Sequence, residues 1–385
     1  MARYHKLGNL PKTRHIQFRQ PNGTLYAEEL FSTHGFSGPC ALMYHIHLPT
    51  EVHGWEDLGP SAPTFLVDEA LRHRHLRTKR LSPKGNAVTG RIPMMGNVDV
   101  IWNNFMVAEQ MEHFFKNAEA DEIHFIHDGS GVLETMFGDV PFQPHDYLVI
   151  PRGTIWRIRF DTLPVRGLVF ESHGEVTIPR RYHNHVGQLA EEAPYHERDF
   201  RPPTELRTFD EEGEFFVDVK ARKRLTRYKY RFHPFDIVGW DGYVYPYAFS
   251  IDDFCPITGK VHMPPPIHQT FQGKGFVVCS FCPRMLDFHP EAIVIPYNHS
   301  NVDSDEVLYY CNDKFGSRKG IEEGSITIHP LGIPHGPQPG AVEASLGATR
   351  TEELAVMLDT YQPLYLTQEA LEIEDPEYWK SWQTN

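Results

Sequence analysis

One pattern occurs twice in this 385-residue chain, and it limits the fold more than any other feature. Asp121-Glu122 opens an apolar run that ends at Gly129, and Asp305-Glu306 opens another through Val307-Leu-Tyr-Tyr310. Each is followed by a second run that closes on Pro-x-Gly. In the first copy it reads Asp146-Tyr-Leu-Val-Ile-Pro151-Arg-Gly153-Thr-Ile-Trp156, and in the second Gly324-Ser-Ile-Thr-Ile-His329-Pro330-Leu-Gly332-Ile-Pro-His335. Paired carboxylates at a strand start, a Pro-x-Gly turn and a ring three residues later describe one β unit built twice. The chain is long enough for two core-forming units, and its 31 Pro and 29 Gly favour turns over long helices.

The copies differ where chemistry would sit. In the second, His299, Glu306 and His335 bracket a hairpin. Two imidazoles and a carboxylate on one face of an octahedral ion leave the opposite face open, which suits non-haem Fe(II). The spacing G-x5-P-x-G-x2-H from Gly324 to His335 is similar to the second cupin motif in full. The stretch from His299 to Glu306 resembles the core of the first motif, with Asn301 in place of its second histidine. The fold expected is mainly β, a bicupin of two double-stranded β-helix (jelly-roll) units, with an N-terminal arm from Met1 to about Thr50 and a C-terminal helix. Residues 1–200 form an N-terminal β domain with a degenerate, metal-free unit, and 201–385 a cupin domain with the iron site. In the first unit Trp156 stands where the last ligand would be, so His113, Glu122, His124 and His127 are expected to be structural. A decoy precedes them: His45-Ile-His47-Leu-Pro-Thr-Glu51 spells H-x-H-x3-E. No closing histidine follows it, because Pro83-Lys-Gly85 continues as Asn-Ala-Val.

A formal net charge of −14 repels nucleic-acid phosphates and anionic lipid, so neither is an expected partner. The short basic runs Arg152–Arg159 and Arg222–Lys229 read as solvated strand or loop. Five cysteines do not make a disulfide framework, and Cys279-Ser-Phe-Cys282 lies in an apolar run that reads as buried strand. No run approaches the ~20 apolar residues of a membrane span, and the first residues lack an apolar leader. The expectation is a cytoplasmic protein.

Over most of its length the chain resembles the homogentisate 1,2-dioxygenase family. Leu25-Tyr-Ala-Glu-Glu-Leu30 is similar to that family's N-terminal signature. Glu197-Arg-Asp-Phe200 and the block from His233-Pro-Phe-Asp to Tyr247 resemble its central part. The resemblance implies Fe(II) on His299, Glu306 and His335, with Asp305 a rival to Glu306. It implies His329 as a histidine supporting the site, His262 as the acid/base with His268 close enough to take that role, and Tyr297 beside the substrate. Arg318 and Lys319 supply positive charge for a substrate carboxylate, although the loop from Cys311 to Gly320 departs from the family's pattern. The implied reaction opens the ring of homogentisate with O2 to give maleylacetoacetate, a step of tyrosine and phenylalanine breakdown, in a trimer or dimer of trimers. Two alternatives stay open: a cupin dioxygenase for another hydroquinone acid such as gentisate, and a metal-binding bicupin without turnover.

Overall fold

Alternation along a strand separates the two acids of each Asp-Glu pair, so that one serves the backbone and the other faces the opposite side. In the computed structural model, which describes residues 3–67 and 70–384, the aspartates do the same task in both copies. Asp121 accepts hydrogen bonds from the backbone N–H of Arg152 (3.1 Å) and Val176 (2.9 Å). Asp305 accepts them from Leu331 and Leu364, both at 2.7 Å. Each carboxylate thereby ties the residue after the turn proline to a segment beyond a later strand. The turn glycines are left-handed, Gly153 with φ +85° and Gly332 with φ +74°, a conformation that a side chain would strain.

The two units share a middle layer. An eight-stranded sheet runs Phe200–Arg201, Tyr247–Ser250, Asp146–Ile150, Asp121–Asp128, Val165–Ser172, Val100–Val107, Arg91–Gly96 and Tyr365–Leu366. Its central strands are apolar on both faces. Ile126, Leu148, Ile150 and Val169 pack with Trp156 and Ile158 of a seven-stranded sheet. Phe125, Tyr147, Leu168 and Phe170 face the other way, onto Val278, Val307, Tyr309 and Val356 of a six-stranded sheet. That sheet runs Gln269–Gly273, Phe276–Phe281, Ala355–Thr360, Asp305–Tyr310, Ser325–His329 and Arg74–Arg77. With the short pair Arg284–Met285 and Arg350–Thr351, it forms the second unit. The architecture is the expected mainly β bicupin.

The chain crosses the expected boundary between 1–200 and 201–385 in both directions. The hairpin of Glu212–Ala221 and Arg224–Phe232 belongs to the seven-stranded sheet of the first unit, and Arg74–Arg77 closes the sheet of the second. The N-terminal arm is itself folded: His5–Gly8, Ala27–Ser32 and Cys40–His45 form a four-stranded sheet with Ile237–Gly242. Met1 and Ala2 of that arm lie outside the described residues. The expected C-terminal helix is short, Gln368–Glu372 capped by the Thr367 hydroxyl, and a 3-10 turn follows at Tyr378–Trp382. Cys279 and Cys282 are buried free thiols, as the apolar run implied. Among the described residues no helix is long and apolar enough to cross a membrane.

The decoy histidines hold this four-stranded sheet to the following loop. His45 is buried, with Nδ1 2.8 Å from Asp236 and Nε2 3.1 Å from Glu29. His47 stacks on Phe232, and its backbone N–H donates to Asp236 at 2.8 Å. Burial opposes the His45 cation, yet the two carboxylates outweigh it and raise its pKa to about 9. The folded value therefore lies above the ordinary 6.5, so this stabilisation is complete below about pH 6.5 and is lost as pH rises through about 9. Urea titrations across that window are expected to show falling stability, with the slope reduced in Asp236→Asn.

Candidate metal centre

The hairpin of the second unit carries Glu306 on one strand and His329 on the next, paired in register. Strand alternation puts both on the face that looks away from the middle sheet, the face shared by Leu308 and Tyr310. Asp305 points the other way onto backbone N–H groups, so of the two acids it is Glu306 that faces the histidines. His299 and His335 reach the same place from outside the hairpin. Their backbones form an isolated antiparallel bridge, His299 N–H to His335 carbonyl at 2.8 Å and the reverse at 2.9 Å.

The ligand atoms of His299, Glu306 and His335 lie within 4.8 Å of one another, the one such cluster among the described residues. Each imidazole Nε2 is 3.5 Å from Glu306 Oε2. His299 Nδ1 donates to the Tyr297 carbonyl (3.0 Å) and His335 Nδ1 to the Ile333 carbonyl (3.1 Å). A carbonyl only accepts, so each ring donates from Nδ1 and turns Nε2 toward the cluster, the nitrogen through which it would hold a metal. His335 Nε2 is buried without a hydrogen-bond partner, which is the mark of a group made for an absent ligand. Two imidazoles and one carboxylate suit a divalent first-row metal.

The second oxygen of Glu306 is held by His329, whose Nδ1 donates to Oε1 at 2.7 Å. Burial holds the His329 pKa down to about 3, so the ring is neutral. Burial works against the Glu306 anion, but the imidazoles of His299, His329 and His335 around it outweigh that and keep it well below the usual carboxylate range. His329 is fully buried and does not line the cavity beside the site, so what it touches is Glu306 and not the cavity. The sequence also gave no role to Asp359, which lies opposite Glu306 across the neighbouring strand. Burial, followed by the Glu306 charge, raises its pKa well above the ordinary value. An acid inside the apolar run Leu354-Ala-Val-Met-Leu-Asp359 is the sequence signal that could have found it. Trp382 is likewise new: its Nε1 donates to the Gly336 carbonyl at 3.1 Å, next to His335.

A cavity of about 530 Å³ opens onto His299 and Glu306, with walls that include Phe281, Leu308, Phe315 and Met357. His262, His268 and Arg318 all line it. His268 is buried, stacks on Phe281 and donates from Nδ1 to the Ser280 carbonyl at 3.2 Å, and burial pushes its pKa down to about 3. His262 packs edge-on against Tyr297, and its Nε2 has no partner. Between the two, His262 is the ring with a nitrogen free of any hydrogen bond. Arg318 donates to the Gly336 carbonyl at 2.6 Å and covers the Trp382 ring, leaving Nε unpaired. Two expectations are corrected. Lys319 does not line the cavity, because its ammonium is drawn to the Pro339 carbonyl at 2.7 Å. Tyr297 also stays outside it, with an exposed ring, and contributes to the site through its carbonyl.

In the first unit the counterpart of this site holds a guanidinium. Arg91 is bidentate to Glu122, the counterpart of Glu306, at 2.7 and 3.0 Å, and reaches Glu171 at 3.1 Å. Its charge lies over the rings of Phe115 and Trp156. Lys220 pairs with Glu171, and His124 lies 2.8 Å from Glu122. His127, farther along the same strand, bonds to Tyr309 of the second unit at 2.6 Å. The expected structural roles of Glu122, His124 and His127 follow from these bonds.

Residues 71–251 match the family described as homogentisate 1,2-dioxygenase, N-terminal. Over its whole length the chain is 39% identical to a Saccharolobus solfataricus protein that is also covered completely and is named as a dioxygenase without a substrate. A homogentisate 1,2-dioxygenase of Rhodopseudomonas palustris is 27% identical over 69% of this chain and 61% of its own length. That of Nitrobacter hamburgensis is 28% identical over 71% and 63%. The chain thus spans less than two thirds of those two enzymes. A cupin 2 conserved barrel domain protein from Leptotrichia buccalis is 10% identical with a TM-score of 0.32, covering 76% of this chain and 99% of its own, too weak a likeness to add to the topology above.

Metal analysis of purified, reconstituted protein is expected to find one divalent ion per chain, and none in Glu306→Gln. Replacing His329 with Phe is expected to weaken metal binding about 10–100-fold, because the carboxylate loses the donor that orients it. Arg91→Ala leaves two buried carboxylates short of a cation, and chemical denaturation is expected to show a loss of about 3–5 kcal/mol.

Proposed function

Because this chain belongs to the family of dioxygenases that includes the homogentisate 1,2-dioxygenases, we propose that it is an Fe(II) enzyme that opens the ring of homogentisate. Both atoms of O2 enter the product, maleylacetoacetate, and the protein works in the cytoplasm in tyrosine and phenylalanine breakdown. The observation that carries this reading is a His299–Glu306–His335 cluster at the wall of a cavity that also presents an unpaired imidazole and a guanidinium. Fe(II) held there would supply the redox chemistry that lets O2 react with an aromatic ring and would acidify a phenol placed against it.

The chain's own residues do the rest. A free phenol titrates near pH 10 and an imidazole near 6.5, so the His262 Nε2 lone pair is suited to take the phenol proton and return it at ring opening. His262 needs no rearrangement to do so, because that nitrogen has no other bond. Arg318 offers its unpaired Nε to the acetate carboxylate, while its bond to the Gly336 carbonyl fixes the head group. Phe281, Leu308, Phe315 and Met357 form an apolar wall for the ring and exclude water from it. His329, from behind, keeps Glu306 in one orientation.

The test is oxygen uptake by anaerobically Fe(II)-loaded protein given homogentisate, gentisate and 3,4-dihydroxyphenylacetate, with ring-opened product followed in the same cuvette. One O2 consumed per product from homogentisate, with the other acids slower, is the expected outcome. Faster turnover of another acid overturns the substrate, and iron bound without uptake of O2 on any of the three overturns the reaction. His262→Gln is expected to keep the metal and lower kcat about 10²–10⁴-fold. Arg318→Met is expected to act mainly on KM.

A further inference from the structure

The counterpart turns of the two units border cavities of different character. Beside Pro330 and Leu331 the cavity is about 140 Å³, lined by Leu66, Val67, Leu71, Leu364 and Leu366. Beside Pro151, Arg152 and Gly153 it is about 770 Å³. It lies between the turn after Ala27–Ser32, the end of Phe114–Asn117 and the 173–183 segment, and it shares no residue with the cavity at His299 and Glu306.

Its lining is cationic in a chain that is strongly acidic overall. Lys116, Arg152 and Arg180 oppose Asp121 and Glu175. Both acids are already engaged, Asp121 by Arg152 at 2.8 Å and Glu175 by His34 at 3.4 Å. Among the described residues, no hydrogen bond or ion pair engages Lys116 or Arg180. Glu29 acts on Lys116 only from a distance, being held itself by His45. Burial lowers the Lys116 pKa, so its ammonium is short of solvent as well as of a partner. Tyr247, 4% exposed, lines the same cavity, and its hydroxyl is buried without a hydrogen-bond partner. A buried donor left unpaired is costly, and an ammonium lining the same cavity adds to the demand for an acceptor. Phe31, Tyr243, Tyr245, Val149 and Ile178 supply flat apolar wall around these groups.

We infer that this cavity of the first unit is a second ligand site, which binds a small planar organic acid with its carboxylate between the Lys116 ammonium and the Tyr247 hydroxyl. A carboxylate accepts from both donors at once, and a neutral ligand would leave the ammonium unpaired. Arg180 at the mouth adds attraction over the last few ångströms of entry. The first unit, which shows no metal cluster among the described residues, then serves as a binding module in the enzyme.

Isothermal titration of the full-length, Fe(II)-loaded protein under argon tests this with benzoate as probe and benzamide as its neutral counterpart. Circular dichroism and iron content show that each variant is folded. The expected result is saturable benzoate binding that weakens at least tenfold in Lys116→Met and severalfold in Tyr247→Phe and Arg180→Ala. It persists in Arg318→Met, and benzamide gives none. Benzoate binding lost in Arg318→Met and unchanged in Lys116→Met and Arg180→Ala would place the probe at the metal and overturn the inference. Equal binding of benzamide, or no saturable heat with benzoate, overturns it as well. Failure of the homogentisate assay leaves these outcomes readable, because none of them depends on turnover.

Discussion

The Glu306 carboxylate is the group on which the rest of the site depends, because its two oxygens face different demands. Oε1 takes the proton of His329, and Oε2 faces the Nε2 atoms of His299 and His335. An anion taken out of water this completely is costly unless each lone pair is used. The surrounding imidazoles meet that cost and are in turn fixed by it. Their Nδ1 atoms are tied to carbonyls of their own turns, so neither ring can rotate away without breaking a bond. The site is therefore organised before any metal arrives.

The first unit solves the same electrostatic problem with the protein's own cations. Glu122 occupies the position of Glu306, and Arg91 supplies positive charge inside the fold where the other unit leaves a place for an ion. Trp156 in place of a histidine then becomes intelligible, since its ring face receives the guanidinium that a third ligand would displace. With Lys220 on Glu171, the buried charges of the cluster balance, two cations against two carboxylates. One unit is closed by a fixed cation and the other is open to an exchangeable one.

The candidate cluster was legible because it lies in turn chemistry and strand ends, which local sequence specifies. Pro330-x-Gly332 places His335 by a turn that a left-handed glycine permits, and Trp156 marks the unit that has lost its ligand. What sequence order could not carry was the direction of a side chain in space. Tyr297 and Lys319 sit beside true site residues in the chain, yet one acts through its carbonyl and the other turns to the Pro339 carbonyl. Asp359 reads as the end of an apolar strand until pairing sets it opposite Glu306. Arg91 and Glu122 lie on separate strands, and nothing local tells that they meet. The boundary near residue 200 failed to mark the units for a similar reason, because Arg74–Arg77 and the 212–232 hairpin are placed by long-range pairing.

The shared middle sheet makes the two units interdependent. Its strands alternate between two cores, so Tyr147 reaches Ser280 at 2.8 Å and His127 reaches Tyr309 at 2.6 Å, while their neighbours Leu148 and Ile126 pack the first unit. Tyr309 lies on the strand of Glu306, and Ser280 lies on the strand next to Ala355–Thr360. A one-residue slip in the middle sheet would turn these polar groups into the wrong core and drag the metal-bearing strands with them. That coupling gives the first unit a reason to keep its Asp-Glu pair and Pro-x-Gly turn: they fix the register from which the second unit's strands are aligned. Loss of a ligand at Trp156 was compatible with this task, whereas loss of Asp121, which ties Arg152 and Val176 together, would not have been.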